Sequence, residues 1–221
     1  MKIYCVPGLG NDKRIFDNLI PLLDHKDIYV LEHLEPIDNE SICDYAKRLI
    51  LNVNFEENSI IIGMSLGGMI SVELSKLIKF RKVFLISTVK HPNEFPWQIQ
   101  ILKRLPIDKI KIPSWFIKKG VKTIMWLYNT TNYLGREHIS NQVNDALDRH
   151  IEWAQLAATK WDNRLIPDNY VHIHGTKDEI FPSRNVRASH FIQNANHYMI
   201  MDRANDVAHI INYELSKLDP I

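Results

Sequence analysis

The sequence predicts an α/β protein: an open, mostly parallel sheet flanked by helices, with a small helical cap inserted in it. Three observations carry this expectation. Short apolar runs alternate with amphipathic helical patterns along most of the chain. Those runs are apolar throughout, not at every second residue, as in strands buried on both faces of a parallel sheet. One long segment, about 88–164, breaks the alternation, contains no convincing strand and reads as helical. Strands that alternate with helices are joined by right-handed crossovers, and such sheets bind ligands beyond the carboxyl ends of their strands.

The first strand is "KIYCV" (2–6). A helix is expected near 12–23, with Ile15, Phe16, Leu19 and Leu22 at helical spacing, and Pro21 predicts a bend or early end within it. "IYVL" (28–31) is the second strand, and a helix from Glu40 to Leu51 follows with Asn39 as its N-cap. "SIIIG" (59–63) runs directly into a helix over 65–79. "KVFLIS" (82–87), "YVHIH" (170–174) and "SHFIQ" (189–193) complete six strands, and a helix over 204–218 comes last.

Within 88–164, "SWFIKKGVKTIMWLY" (114–128) places Ile117, Val121, Ile124, Met125 and Tyr128 on one helical face. Ile139, Val143, Leu147, Trp153, Ala154, Ala157 and Trp161 mark a second helical stretch. The five tryptophans, Trp97, Trp115, Trp126, Trp153 and Trp161, all lie in this segment and are expected to form the cap's own core. The expected division is therefore a core of 1–87 and 165–221 with a cap of 88–164.

A chain of 221 residues fits one domain with an insertion. Its net charge of +1 gives no reason to expect a nucleic-acid partner. No run is long and apolar enough to cross a bilayer, and "MKIYCVPG" reads straight into a strand without a cleavable leader. A cytoplasmic location is the expectation, with Cys5 and Cys43 free. Lys103, Arg104, Lys109, Lys111, Lys118, Lys119 and Lys122 form a basic stretch against Asp108 alone. It reads as the solvated outside of the cap; the sharper alternative is attraction of an anionic substrate or peripheral contact with an acidic lipid surface.

Chemistry concentrates after the strands. Gly63-Met64-Ser65-Leu66-Gly67 matches G-x-S-x-G between a strand and a helix. A sharp strand-to-helix turn there strains the serine, exposes its hydroxyl and leaves no room for side chains two residues to either side. The alternative is a glycine-rich packing turn. In sheets with such a turn the acid and the histidine follow, each after a later strand. "HIHGTKDEIFP" offers Asp178, with Glu179 beside it, and "NANHYMI" offers His197. His197 would take the Ser65 proton, and Asp178 would fix the histidine tautomer. The plainer roles are an Asx-turn for Asp178 and a polar residue at a helix start for His197. "VPGLGND" after the first strand offers a tight loop, so Leu9 and Leu66 N–H groups are the expected oxyanion donors. His172 and His174 share a strand face, but no third metal ligand has suitable spacing, and neither metal nor cofactor is expected.

"VPGLGNDKRIF", "IIGMSLGGM", "HIHGTKDEIFP" and "NANHYMI" together resemble the α/β-hydrolase superfamily, in a short form similar to small bacterial esterases and thioesterases. The resemblance covers the sheet-forming two-thirds of the chain. It implies a serine hydrolase with a Ser-His-Asp triad, acting on the ester or thioester of a small, partly apolar acyl substrate through an acyl-enzyme; the cap carries no such implication for substrate identity, and walling an acyl pocket is a second expectation for some of its tryptophans. The sequence departs from the family in two places. It begins at what resembles the family's third strand, so the usual first hairpin is missing, and Asn196 precedes His197 where glycine is common. His190 is the reserve histidine, its place inside a strand favouring a structural role. Two readings from other classes stand beside hydrolysis: a non-catalytic ligand-binding or signalling module, and a lyase using Ser65 and His197 as a base pair.

Overall fold

The computed structural model describes residues 1–103 and 148–218, together with Trp115, Lys119, Glu137, Asn141, Asn144 and Asp145. Six strands, β1 (Ile3–Val6), β2 (Ile28–Val30), β3 (Ile60–Met64), β4 (Lys82–Ile86), β5 (Tyr170–Gly175) and β6 (His190–Ile192), form one sheet in the order β2-β1-β3-β4-β5-β6. Every pairing is parallel. Each strand expected from the apolar runs is present within two residues of its expected bounds. The order reverses between β1 and β3, so the loops after these two strands flank the crevice where open parallel sheets place their ligands.

The period-two geometry of a strand sorts the core into two layers. Ile3, Cys5, Ile60, Ile62, Phe84 and Ile173 face one side, against helix α6 (Ala204–Ser216) and the short helix α5 (Met199–Asp202). Tyr4, Val6, Ile61, Val83 and Leu85 face the other, against α1 (Ile42–Asn52) and α2 (Leu66–Ser75). Every residue of α2 from Leu66 to Leu74 is buried, so this helix is sandwiched between the sheet and what packs outside it. Both cysteines are free, and burial pushes the Cys5 thiol up to about 12.

Three helix expectations are corrected. The 12–23 helix is two 3-10 turns, Lys13–Phe16 and Ile20–Leu22. Pro21, without an N–H, cannot join a continuous α ladder. Ile15, Phe16 and Leu19 are buried as expected, whereas Leu22 is exposed. The N-cap of α1 is Ser41, whose Oγ accepts from Asp44 N–H at 3.1 Å; Asn39 instead takes a left-handed turn with φ 62°. The helix after β3 ends at Ser75, four residues early, where the chain turns through Leu77 N–H to Leu74 C=O.

The 88–164 segment contributes α3 (Trp97–Leu102) and α4 (Asp148–Lys160). Two tryptophans serve the sheet layer, not a separate cap core. Trp153 stacks on Tyr45 of α1 at 4.6 Å, and its Nε1–H donates to Glu40 C=O at 2.8 Å. Trp161 Nε1–H donates to Glu73 Oε1 of α2 at 2.8 Å. Trp97 and Trp115 are exposed. Trp126 and most of the expected 114–128 helix lie outside the described residues, as does the basic stretch apart from Lys103 and Lys119. Lys103 is half-buried, with its Nζ donating to Trp161 C=O and lying 4.8 Å from the Phe95 ring centre. Burial lowers its pKa. No helix among the described residues is long and apolar enough to cross a membrane.

Candidate active site

Ser65 sits at the end of β3 with φ 53° and ψ −120°, a conformation an L side chain rarely adopts. Its neighbours hold it there. Its N–H donates to Ile86 C=O at 2.9 Å, and its C=O accepts from Thr88 Oγ1 at 2.6 Å. The glycines two residues to either side are sterically required. A Cβ on Gly67 would stand 2.1 Å from Val6 O, and one on Gly63 would stand 2.4 Å from Gly67 O. The turn thus brings α2, β1 and β3 together backbone to backbone, and the serine points away from all three.

The structure brings the three expected side chains together. His197 Nε2 lies 3.0 Å from Ser65 Oγ. Its Nδ1 lies 3.0 Å from Asp178 Oδ2 and 3.1 Å from Oδ1. A carboxylate only accepts, so Nδ1 carries the proton and the bare Nε2 accepts from the serine hydroxyl. Asp178 Oδ1 also accepts from Ile180 N–H at 2.9 Å and Phe181 N–H at 2.8 Å. Asp178 therefore closes an Asx-turn and faces the imidazole at once, so the two readings of this residue coexist. Glu179 takes a different place: its Oε2 accepts from the His197 backbone N–H at 3.3 Å. His190 lies in β6, 3.5 Å from Glu214, away from this group.

Electrostatics follow from burial and pairing. Burial works against the charged form of Asp178, but the charge and hydrogen bond of His197 outweigh it and hold the carboxyl below its ordinary value. Burial works against charged His197 as well, and the Asp178 charge outweighs it, so the imidazole pKa is raised. Glu179 is raised by burial. The sequence reading gave no role to His174, which is fully buried next to Asp178 with Nε2 2.8 Å from Phe181 O. Burial lowers its pKa, so it packs as a neutral group. Its position four residues before Asp178, at the end of β5, was the available signal. Thr88 was missed too; standing two residues after β4, it reaches the serine only through the sheet register.

The acid and histidine loops meet at Gly175, where a Cβ would stand 2.3 Å from Ala195 O. Lys177 N–H also donates to Ala195 C=O at 2.8 Å. In the histidine loop the left-handed residue is Asn194, with φ 60°. Asn196 needs no glycine-like freedom, and its Oδ1 instead accepts from Tyr198 N–H at 2.8 Å.

The loop after β1 backs onto the serine: a Cβ on Gly8 would stand 3.2 Å from Ser65 Cβ. Leu9 N–H and Leu66 N–H take no acceptor among the described residues. Among the described residues, a cavity of about 330 Å³ lies on the far side of this loop, lined by Gly10, Asn11, His33 and His150, and a larger one of about 630 Å³ lies elsewhere. Trp153 and Trp161 line the larger, between the start of α1 and α4, which Ser65 does not line. His172 and His174 pack ring against ring at 5.3 Å, and among the described residues no cluster of three or more His, Cys, Asp or Glu could hold a metal ion.

No protein-family model and no curated protein matches the sequence. Solved structures do match. A thermophilic esterase from Thermogutta terrifontis superposes with a TM-score of 0.70 at 15% identity, over 98% of this chain and 90% of that one. MenH from S. aureus gives 0.71 at 13% identity, over 98% and 94%. A bromoperoxidase from Bacillus anthracis gives 0.70 at 14%, over 98% and 92%. At such identities the likeness is one of architecture, and with the parallel six-stranded order above, the architecture of this chain is the α/β-hydrolase fold.

Proposed function

We propose that the protein is a serine hydrolase that cleaves the ester or thioester of a small acyl substrate. The observation that carries this reading is the unbroken chain Ser65 Oγ, His197 Nε2, His197 Nδ1, Asp178, at 3.0 Å per link. In the proposed reaction Ser65 Oγ attacks the acyl carbonyl carbon while its proton passes to His197 Nε2. The carbonyl oxygen becomes an oxyanion that Leu9 and Leu66 N–H groups stabilise, Leu66 being at the positive end of α2. Collapse of this intermediate expels the alkoxide or thiolate, which takes the proton from His197, and leaves an acyl-Ser65 ester. Water, deprotonated by the same histidine, attacks that ester and restores the serine. Asp178 stays ionised throughout and stabilises the imidazolium. The segment 88–164 is proposed as a cap over the strand ends, supplying the acyl-binding surface together with the loop after β1.

A thermophilic esterase among the structural neighbours supports a hydrolase of this kind, although the fold alone serves many chemistries. The test is covalent labelling. A fluorophosphonate needs both an activated serine and oxyanion donors, so it should label the protein stoichiometrically, with the adduct on Ser65 by peptide mapping. Turnover of nitrophenyl esters and acyl thioesters of graded chain length then identifies the substrate class. An unmodified Ser65 in folded protein would favour the binding-module reading.

A further inference from the structure

Gly8 is approached from two sides. Ser65 lies against its Cα, and its carbonyl oxygen accepts two hydrogen bonds, from Asn11 N–H at 3.1 Å and from His33 Nε2 at 3.1 Å. A carbonyl has no hydrogen to give, so the proton is on His33 Nε2. The peptide that joins Gly8 to Leu9 is planar and trans, and in such a unit C=O and N–H point in opposite directions. A group that fixes the Gly8 carbonyl therefore also fixes the direction of Leu9 N–H, which has no acceptor among the described residues.

His33 is itself firmly held. Just before it, Leu31 N–H donates to Cys5 C=O at 2.9 Å, extending the β1–β2 pairing. Just after it, Leu34 N–H donates to Tyr45 Oη at 2.8 Å. The His150 ring of α4 covers the His33 ring, with centres 4.1 Å apart and planes at 40°. His150 is in turn 5.5 Å from Trp153, which stacks on Tyr45. Arg14, one turn beyond the loop, pairs with Asp145 just ahead of α4 at 2.9 Å. The segment carrying α4 thus braces both ends of the loop after β1. Burial lowers the pKa of both rings, His150 to about 3, so each is neutral at neutral pH.

We propose that His33 is a positioning residue of the oxyanion hole: its Nε2–H holds the Gly8 carbonyl and so aims Leu9 N–H at the oxygen of the carbon that Ser65 attacks. This rests on the serine-hydrolase reading above and adds to it a residue outside the triad. His33 touches no reacting atom. Its effect belongs to the transition state, where the oxyanion is fully developed, and not to substrate binding.

The test compares the full-length wild type with His33→Met and His33→Phe, which keep apolar bulk but lose the donor, and with His33→Gln, which keeps one. A whole oxyanion donor is worth about 10²–10³ in kcat. Misaimed but not removed, Leu9 N–H should cost about 10- to 100-fold in kcat on a nitrophenyl ester in the Met and Phe variants, with KM changed less than about threefold. His33→Gln should recover most of that loss. Unchanged kcat in the Met and Phe variants, a loss confined to KM, or a Gln variant as impaired as Met would each overturn the proposal. If the donor-less variants do not fold, the wild type still decides. ¹⁵N-histidine spectra, assigned by the resonance missing in His33→Gln, should show Nε2 protonated and Nδ1 bare; a bare Nε2 overturns the proposal. A wild type that neither reacts with fluorophosphonate nor turns over ester defeats the hydrolase reading and this proposal with it, whereas a reactive wild type with indifferent His33 variants defeats this proposal alone.

Discussion

At φ 53° Ser65 holds a conformation that costs a side chain about 1–3 kcal/mol, and the surrounding hydrogen bonds enforce it. Glycine there would be unstrained. Ser65→Gly and Ser65→Ala should both abolish turnover, yet the glycine variant should be the more stable by roughly 1 kcal/mol, read as a higher urea midpoint. Equal midpoints would mean that the turn imposes no strain on the side chain. At the acid position, Asp178→Asn should lower kcat by about 10³–10⁴ through the wrong histidine tautomer. Glu179→Gln, at a side chain that hydrogen-bonds the His197 backbone and not its ring, should cost far less. The raised pKa of His197 sets the pH profile. Activity needs the neutral ring, so it should fall as pH drops through a midpoint above the ordinary histidine value of about 6.5. In any residual activity of Asp178→Asn that midpoint should move down, because the carboxylate that raises it is gone.

Among the elements, the contacts that define the site run between backbones, which cannot move aside as a flexible side chain can. Gly67→Ala drives a methyl into Val6 O and should destabilise the fold by about 1–3 kcal/mol or more, read as a lowered thermal midpoint. Gly175→Ala pushes the acid loop from the histidine loop at Ala195. It should cost kcat more than stability, since both loops sit at the surface end of their strands; a purely thermal effect would show that the loops move together. Strands were legible in the sequence because a continuous apolar run of five residues has few other solutions. The Ser65 turn was legible because its glycines are a local steric demand. The 3-10 turns of 13–22 were not, since Ile15, Phe16 and Leu19 bury equally well on a tight or a regular helix. His33 and Thr88 escaped notice for another reason: each acts on a residue that only the sheet register brings near it, whereas His174, weighed only as a metal ligand, sits a few residues from its partners. Trp153 of α4 and Trp161 just after it were assigned to a separate cap core because a sequence shows that a large ring must be buried, but not against what.

For the molecule as a whole, four histidines, His33, His150, His172 and His174, have pKa values pushed down mainly by burial. Unfolding releases each to titrate at about 6.5, so below that pH the unfolded chain binds more protons than the folded one. Stability should therefore fall as pH drops from 6.5, and for His150 the loss continues to about 3. Each such group contributes at most about 1.4 kcal/mol per pH unit. His197 works the other way: its raised value adds stability below its unfolded pKa that is lost as pH rises through the folded one. Asp178, lowered, adds stability above its unfolded pKa that is lost only in stronger acid. Four against one predicts early acid lability, and the fall of urea-unfolding stability with pH across this range should be shallower in His150→Phe.

The β4–β5 seam has a further consequence, in time instead of energy. Val83 pairs with Tyr170 and Ile86 with Ile173, so closing this seam must tie off the whole intervening stretch of chain. Strands β1 to β4 carry the nucleophile and need only shorter closures. Long closures are slow, because their entropic cost falls due before the contacts that repay it. A refolding chain should thus regain most of its helical circular dichroism, and fold the Ser65 turn, before Asp178 and His197 arrive. Reactivity toward a fluorophosphonate would then be the last signal to return, trailing the others by the lifetime of a half-built sheet.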